Sequence, residues 1–526
     1  MSAPHSPGRI ARAMTSFPNR SVFLRVSDEI NATLERYFWL WSVLFAVLFL
    51  AGAVVKDVRT PMWTDELLTL YISQQAGPVE MVKATLEGND GMPPLYAMIV
   101  RAILPVVRSE ALAVRLPSTL GYCGMVICLL AFCRRRLPAA YSMAAALLAC
   151  DACLAYSIEG RSYGIVLGCA AGALLCWQSA VDGRRRNLAI PLLALCVALM
   201  TAMHYYSMFF LVPLFLAEMV RWRTSRKLDL GVLAAMAPVL LVLGVHYPLI
   251  TGSAPFQKHF WSPAAWHNIP EFYDAYFGTM LGRCMLPIGV LAVFSTTPDD
   301  RSAKQPSLIV PEWVVAGAFS LMPLCVVVLS KYTTHVFVSR YVLWAVPGFA
   351  VLVAALLCRV ARGRAAVGVS LLGLLVALAA LGEVSYLRHV RERPALRFGE
   401  VVRQALASLP NGTEPIVVAD VHVFMDLSYY AESRIRERLI YPVSSELELR
   451  YFGYDTASLI LTALSHRTKL HIIGYGAVIA SQKRFVLAAL PSNPLPWDLI
   501  KAGYRVVPID SSIAPVLFDV EAPGRN

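Results

Sequence analysis

The sequence predicts an α-helical polytopic membrane protein with a small α/β domain after its last span, and three observations predict it. Of 526 residues, 57% are hydrophobic and only 16% charged, with a mean hydropathy of +0.57. A soluble domain has no use for so much apolar surface. The apolar residues gather into runs of roughly 18–22, the length that crosses a bilayer as helix. After Arg388 these runs give way to short β-rich stretches alternating with helical patterns, the order of an α/β domain.

The charges orient the spans. A net charge of +12 could serve a nucleic-acid partner, but Lys and Arg stand in short clusters between apolar runs. That is the mark of membrane topology, so the expected partner is the membrane and not nucleic acid. Residues 1–36 are basic and show no cleavable signal pattern, so they read as a cytoplasmic tail. The first span, about Tyr37 to Val55, runs outward. Leu112 to Phe132 returns to Arg134-Arg135-Arg136, Ala139 to Tyr156 goes out, and Tyr163 to Ala180 returns to Arg184-Arg185-Arg186. Leu188 to Met203 leads out to His204-Tyr205-Tyr206, and the next span returns to the cluster from Arg221 to Lys227. Leu230 to Ile250 runs outward to a loop with His259, Trp261, Trp266 and His267. Runs at about Tyr276 to Phe294, Trp313 to Ser330, Tyr341 to Cys358 and Ala365 to Tyr386 complete the set. Arg301/Lys304 and Arg359/Arg362/Arg364 mark their inner ends. The result is about eleven spans, with the N-terminus inside and the C-terminus outside.

Met92 to Val107 is apolar enough to tempt a further span, but counting it would put the triple-Arg cluster at 134–136 outside. It therefore reads as an interfacial or re-entrant helix, broken at Pro93-Pro94 and carrying Arg101. Residues 56–110 become a long outer loop with interfacial helices, and loops of that length are usually functional. Three regions follow: the tail 1–36, a membrane domain 37–386, and an outer α/β domain 387–526. In the last, strands are expected at Pro415–Asp420, Arg438–Tyr441, Lys469–Ile473, Tyr504–Ile509 and Pro515–Val520. Helices are expected at Val423–Ala431 and Asp455–Leu464.

All eleven cysteines lie in or beside apolar segments between Cys123 and Cys358. They read as small buried residues of spans, not as disulfides or zinc ligands. Polar residues instead collect at the outer span ends. Met62-Trp63-Thr64-Asp65-Glu66 follows the first span, and Asp90 precedes the double proline. Ser157-Ile158-Glu159-Gly160-Arg161-Ser162-Tyr163, His204, Lys331, His335 and Arg340 lie further on. Carboxylates at the mouth of a span face water, a cation or a reacting group. Carboxylates and cations on one outer face suit a reaction with an anionic lipid carrier: the cations hold a phosphate leaving group while a carboxylate accepts a proton. Plainer roles compete. Asp65 and Glu66 can cap a helix, Glu159 and Arg161 can form structural ion pairs, and His204 can belong to an interfacial belt. Lys331 and Arg340 can anchor span ends by snorkelling. Asp420 and His422 read as loop-forming.

The motifs occur in a fixed order: Trp63-Thr64-Asp65-Glu66, Asp90-Gly91-Met92-Pro93-Pro94-Leu95-Tyr96, Val114-Arg115-Leu116-Pro117-Ser118, Tyr156 to Tyr163, His204-Tyr205-Tyr206 and Ser339-Arg340-Tyr341. In that order the chain resembles the GT-C membrane glycosyltransferases, in the bacterial group related to protein O-mannosyltransferases and the lipid A aminoarabinose transferase. The resemblance covers roughly residues 37 to 360. It implies a multi-pass enzyme of the bacterial inner membrane with a periplasmic C-terminal domain. Such an enzyme moves a sugar, with inversion, from a polyprenyl-phosphate donor to a lipid, glycan or protein acceptor. On this resemblance Asp65 is the base, with Glu66 as its support or a second acceptor contact. Substrate contacts are expected from Asp90, Glu159, Arg161, Tyr163, His204, Lys331 and Arg340, with Arg161, Lys331 and Arg340 near the phosphate. Met92 stands where the family often has His, and Asp151 interrupts a stretch that is commonly apolar. No cofactor is called for, although a divalent metal stays compatible with the residues. The rival readings are a transporter or flippase for a lipid-linked sugar, which would show matching repeats that this chain lacks, and a scaffold that binds wall components.

Overall fold

A computed structural model describes residues 20–88, 90–278, 307–389, 394–409, 412–490, 492–509 and 516–523. In chain order its main helices begin with α1 (Arg20–Arg36), α2 (Phe38–Arg59), α3 (Thr64–Ser73), α4 (Pro78–Leu86) and α5 (Leu95–Ile103). Next come α6 (Glu110–Arg134), α7 (Ala139–Ala152), α8 (Tyr163–Val181), α9 (Arg186–Met203), α10 (Leu211–Ser225), α11 (Leu230–Met236) and α12 (Pro238–Val245). Then follow α13 (Val310–Tyr332), α14 (Val346–Val360) and α15 (Ala365–His389).

Among the described residues, seven helical segments are long and apolar enough to cross a membrane. They are α2, α6, α8, α9, α13, the stretch Ser339–Val360 that ends in α14, and Ala365–Ser385 of α15. Predicted spans also coincide with the shorter α7, α10 and α11–α12, the last broken where Pro238 removes a helix hydrogen bond. The run predicted at Tyr276 to Phe294 lies outside the described residues beyond Gly278, as do Arg301 and Lys304. The protein is a multi-pass membrane protein.

The helical bundle is tight where the site hangs from it. At α6 and α8, a Cβ on Gly164 would stand 2.0 Å from the Ser118 carbonyl oxygen, and one on Gly168 2.3 Å from that of Gly121. Small residues let two membrane helices approach backbone to backbone. At one end of the bundle, Arg136 bonds both oxygens of Glu312 at 3.0 Å and reaches Asp182 at 2.6 Å. This joins the ends that the charge pattern assigned to one side. The polar motifs assigned to the other side meet at the opposite end.

The segment expected as the first outer loop, 56–110, is built of α3, α4 and α5, of 10, 9 and 9 residues. At about 1.5 Å per residue, none is long enough to span a bilayer. The Met92–Val107 segment is thus a short helix after a double proline, as its pattern predicted.

Past α16 (Pro394–Ser408), six strands form one sheet in the order β3-β2-β1-β4-β6-β5. They are β1 (Ile416–Val418), β2 (Leu439–Val443), β3 (Ile472–Gly474), β4 (Arg484–Ala488), β5 (Arg505–Pro508) and β6 (Leu517–Glu521). The first four are parallel, and β6 turns back antiparallel between β4 and β5. Helices α17 (Val421–Tyr430), α18 (Ser445–Phe452), α19 (Thr456–Ser465), α20 (Tyr475–Ser481) and α21 (Leu495–Lys501) connect them. Along β1, Ile416 and Val418 face one apolar cluster and Val417 the other, the period-two alternation of a strand covered on both faces. The domain docks on the first outer loop. Tyr430 Oη accepts from the Met62 amide at 2.8 Å, Thr64 Oγ1 and His422 Nδ1 lie 2.6 Å apart, and Arg467 reaches Glu80 and Glu87.

Candidate active site

The site begins at the turn into α3. Trp63 is extended (φ −97°, ψ 175°) and α3 starts at Thr64, which sends Asp65 and Glu66 to different faces. Glu66 turns inward, where its Oε2 accepts from the Trp63 amide at 3.1 Å and its Oε1 from the Gly160 amide at 2.6 Å. Arg115 completes its shell with two bonds, Nε to Oε1 at 2.7 Å and Nη2 to Oε2 at 2.6 Å. The remaining donors of Arg115 hold the carbonyls of Asp57, Thr60 and Pro61, which end the first span. Both side chains are almost sealed, at 2% and 1% exposed. A carboxylate with four donors has no capacity left for an acceptor, so of the two roles expected of Glu66 its bonds favour the support, as a brace for the turn.

Asp65 faces the other way. Its Oδ2 accepts from Arg340 Nη2 at 3.2 Å, and both side chains remain partly open. The Arg340 guanidinium lies between the Trp63 and Tyr163 rings, 5.8 Å from each centroid, and its buried Nε has no hydrogen-bond partner among the described residues. Arg161 supports Asp65 from behind, donating at 3.2 Å to its carbonyl oxygen and at 3.1 Å to Thr69 Oγ1. Its fork is closed on Asp90, at 2.5 and 2.9 Å. Arg161 and Asp90 therefore spend their charges on each other, a pairing that the spacing did not predict. Asp90 also accepts from the Met92 amide at 3.1 Å, which anchors the residue before the double proline.

The wall behind this pair is aromatic. The His204 ring lies 4.8 Å from Tyr341, 5.8 Å from Tyr163 and 5.9 Å from Tyr206, centroid to centroid. Burial, with Arg340 and Arg161 nearby, pushes its imidazole down to about 3, so it is neutral. Burial pushes the Glu159 carboxyl up to about 7, against the pull of Arg340. Its Oε1 is buried without a hydrogen-bond partner among the described residues.

The Lys331 ammonium stands 5.5 Å from the Trp266 centroid, and Lys331 is not among the described residues that line a cavity with Asp65 and Arg340. Sequence reasoning also passed over Arg115, although it stands in the quoted Val114-to-Ser118 motif, and Thr64, whose link to His422 ties the two domains. Asp420 caps α17, as a loop-forming residue does. Asp65 and Arg340 open onto a cavity of about 480 Å³ whose opposite wall is the α/β domain. Among the described residues, no three His, Cys, Asp or Glu side chains gather as metal ligands do.

No family model matches the sequence, and no curated protein matches it. Solved structures do match in fold. ArnT from Cupriavidus metallidurans bound to undecaprenyl phosphate is 12% identical with a TM-score of 0.54, over 92% of this chain and 99% of that one. The same protein in the apo state is 13% identical with a TM-score of 0.53, at the same coverage. Nearly the whole of this chain is thus similar in fold to ArnT, a GT-C membrane glycosyltransferase, C-terminal domain included.

Proposed function

We propose that this protein is an inverting glycosyltransferase that moves a sugar from a polyprenyl-phosphate donor to an acceptor on the periplasmic face of the membrane. One observation carries the reading. A carboxylate, Asp65, and a cation whose buried Nε has no partner among the described residues, Arg340, stand side by side at the cavity that faces the α/β domain. The similar fold of ArnT, whose solved complex holds undecaprenyl phosphate, supports a lipid-phosphate carrier as the donor.

The chemistry follows from the two charges. The acceptor's oxygen or nitrogen attacks the anomeric carbon and forms the new glycosidic bond as the bond from carbon to phosphate oxygen breaks. Asp65 takes the acceptor's proton, a task for a carboxylate within hydrogen-bond reach. The electron pair leaves on the phosphate, and Arg340 meets that charge with a charge-assisted hydrogen bond. Glu66 and Arg115 hold the turn, and Arg161 with Asp90 holds the backbone of Asp65.

The test is purified protein in detergent with a synthetic polyprenyl-phosphate sugar and no vesicles. Release of polyprenyl phosphate, with a product of inverted anomeric configuration by NMR, is expected. An intact donor, with movement of the lipid only in vesicles, would mean a flippase.

A further inference from the structure

The cavity lies at a particular place in the α/β domain. In the order β3-β2-β1-β4, successive connections run one way from β1 to β3 and then cross to the other side of β1 for β4. Open parallel sheets bind ligands beyond the carboxyl ends of their strands where the order reverses, which is between β1 and β4 here. The cavity lining comes from just those ends: Asp420 after β1, Ser444 after β2, Tyr475 after β3 and Asn493 after β4. Its other wall is Trp63, Asp65 and Arg340.

We infer that this crevice is the acceptor site and that it takes an unphosphorylated, hydroxyl- or amine-bearing saccharide, an inference that rests on the transferase reading above. The charge of the lining points there. Among the described residues that line it, Arg340 is the one Lys or Arg, while Asp420, Glu448 and Asp498 add carboxylates on the domain side. The N-terminus of α17, where a sheet of this kind would hold a phosphate, is filled by the chain itself. Asp420 Oδ1 accepts from the amides of His422 and Val423 at 2.9 and 3.1 Å. Flat faces complete the surface. Tyr451 and Tyr475 are both fixed by hydroxyl bonds to Asp498, at 3.1 and 3.0 Å, and the Phe452 and Tyr454 rings stack at 5.8 Å. Fixed amphipathic rings beside acceptor oxygens suit the apolar face and hydroxyl rim of a sugar. A peptide would pair along a free sheet edge, and the cavity opens on strand ends.

The test uses the full chain in lipid nanodiscs and follows tryptophan fluorescence on titration with three probes. These are an N-acetylglucosamine disaccharide, its de-acetylated amine form and its 6-phosphate. The first two are expected to saturate the signal, with the phosphorylated probe at least tenfold weaker. Tyr454→Ala and Tyr451→Phe, checked for unchanged melting, should each weaken the amine form, and Asp420→Ser should narrow the gap to the phosphate. Equal or tighter binding of the phosphorylated probe, displacement by a Ser/Thr-rich peptide, or wild-type binding by the Tyr454→Ala protein would overturn the inference. Release of polyprenyl phosphate by the same preparation reports separately on the transferase reading. Release without saccharide binding sinks the crevice alone, and binding without release sinks the transferase.

Discussion

Arg340 and Asp65 are 275 residues apart in sequence and joined by one hydrogen bond of 3.2 Å. The bond aims the carboxylate and keeps a cation beside it, where the proposed reaction needs one. Asp65→Asn keeps the shape and removes the proposed base, so turnover should fall by about 10²–10⁴-fold. Arg340→Ala should instead raise the donor concentration needed for half-maximal rate, because it removes the proposed phosphate contact. Steady-state assays of polyprenyl phosphate release separate the two. Near-normal turnover of a folded Asp65→Asn protein would place the base elsewhere.

Glu66 should behave as a brace. Truncating one partner of a buried ion pair costs about 3–5 kcal/mol, since the other charge is left unpaired. Glu66→Ala and Arg115→Ala should each lower the melting temperature in detergent markedly, and the double variant should lose far less than their sum. Additive losses would mean that the two residues act independently.

Arg161 and Asp90 are expected to act as one unit. If the Arg161 fork serves Asp90, then Arg161→Ala and Asp90→Ala should reduce turnover by similar factors, with little further loss in combination. A donor-affinity defect in Arg161→Ala that Asp90→Ala lacks would return Arg161 to direct phosphate contact.

Glu159 gives a pH signature. Its carboxyl is raised from 4.5 to about 7 by burial, so folding favours the protonated form. The stability it contributes is therefore complete below about 4.5 and lost as pH rises through about 7. Melting temperatures of Glu159→Gln should fall less than those of the parent across this window and match them below it. Parallel curves would remove Glu159 from the pH response.

The parts that were legible in the sequence are those that lipid or local pattern dictates. A bilayer demands long apolar runs and sorts Arg and Lys to one side, so the spans and the short helix after Pro93-Pro94 could be read directly. The five strand runs read in the last domain were equally plain, and each overlaps one of β1, β2, β3, β5 and β6. Strand β4 was missed, although Phe485-Val486-Leu487 has the same composition and Pro491-Ser492-Asn493-Pro494 is a turn signal after it. Within the site, sequence order picked out Asp65, Arg161 and Arg340 but not who holds whom. Glu66 and Arg115 are 49 residues apart and meet only in the packed fold, and Lys331 stands by Trp266 and not in the cavity lining. Such pairings depend on packing between distant segments, which spacing along the chain does not encode.

The bonds from Tyr430 to Met62 and from His422 to Thr64 also bear on how such enzymes can diversify. A C-terminal domain that merely hung from the last helix could be exchanged like a tool head. Here it grips two of the three residues that precede the proposed base, Met62 and Thr64, so a graft from a relative would bring a foreign grip to a native turn. A chimera made at residue 387 alone should fold and yet work poorly. One that carries the matching residues at 62 and 64 should recover, so new acceptor tastes would be expected to arise through paired changes on both sides of that seam.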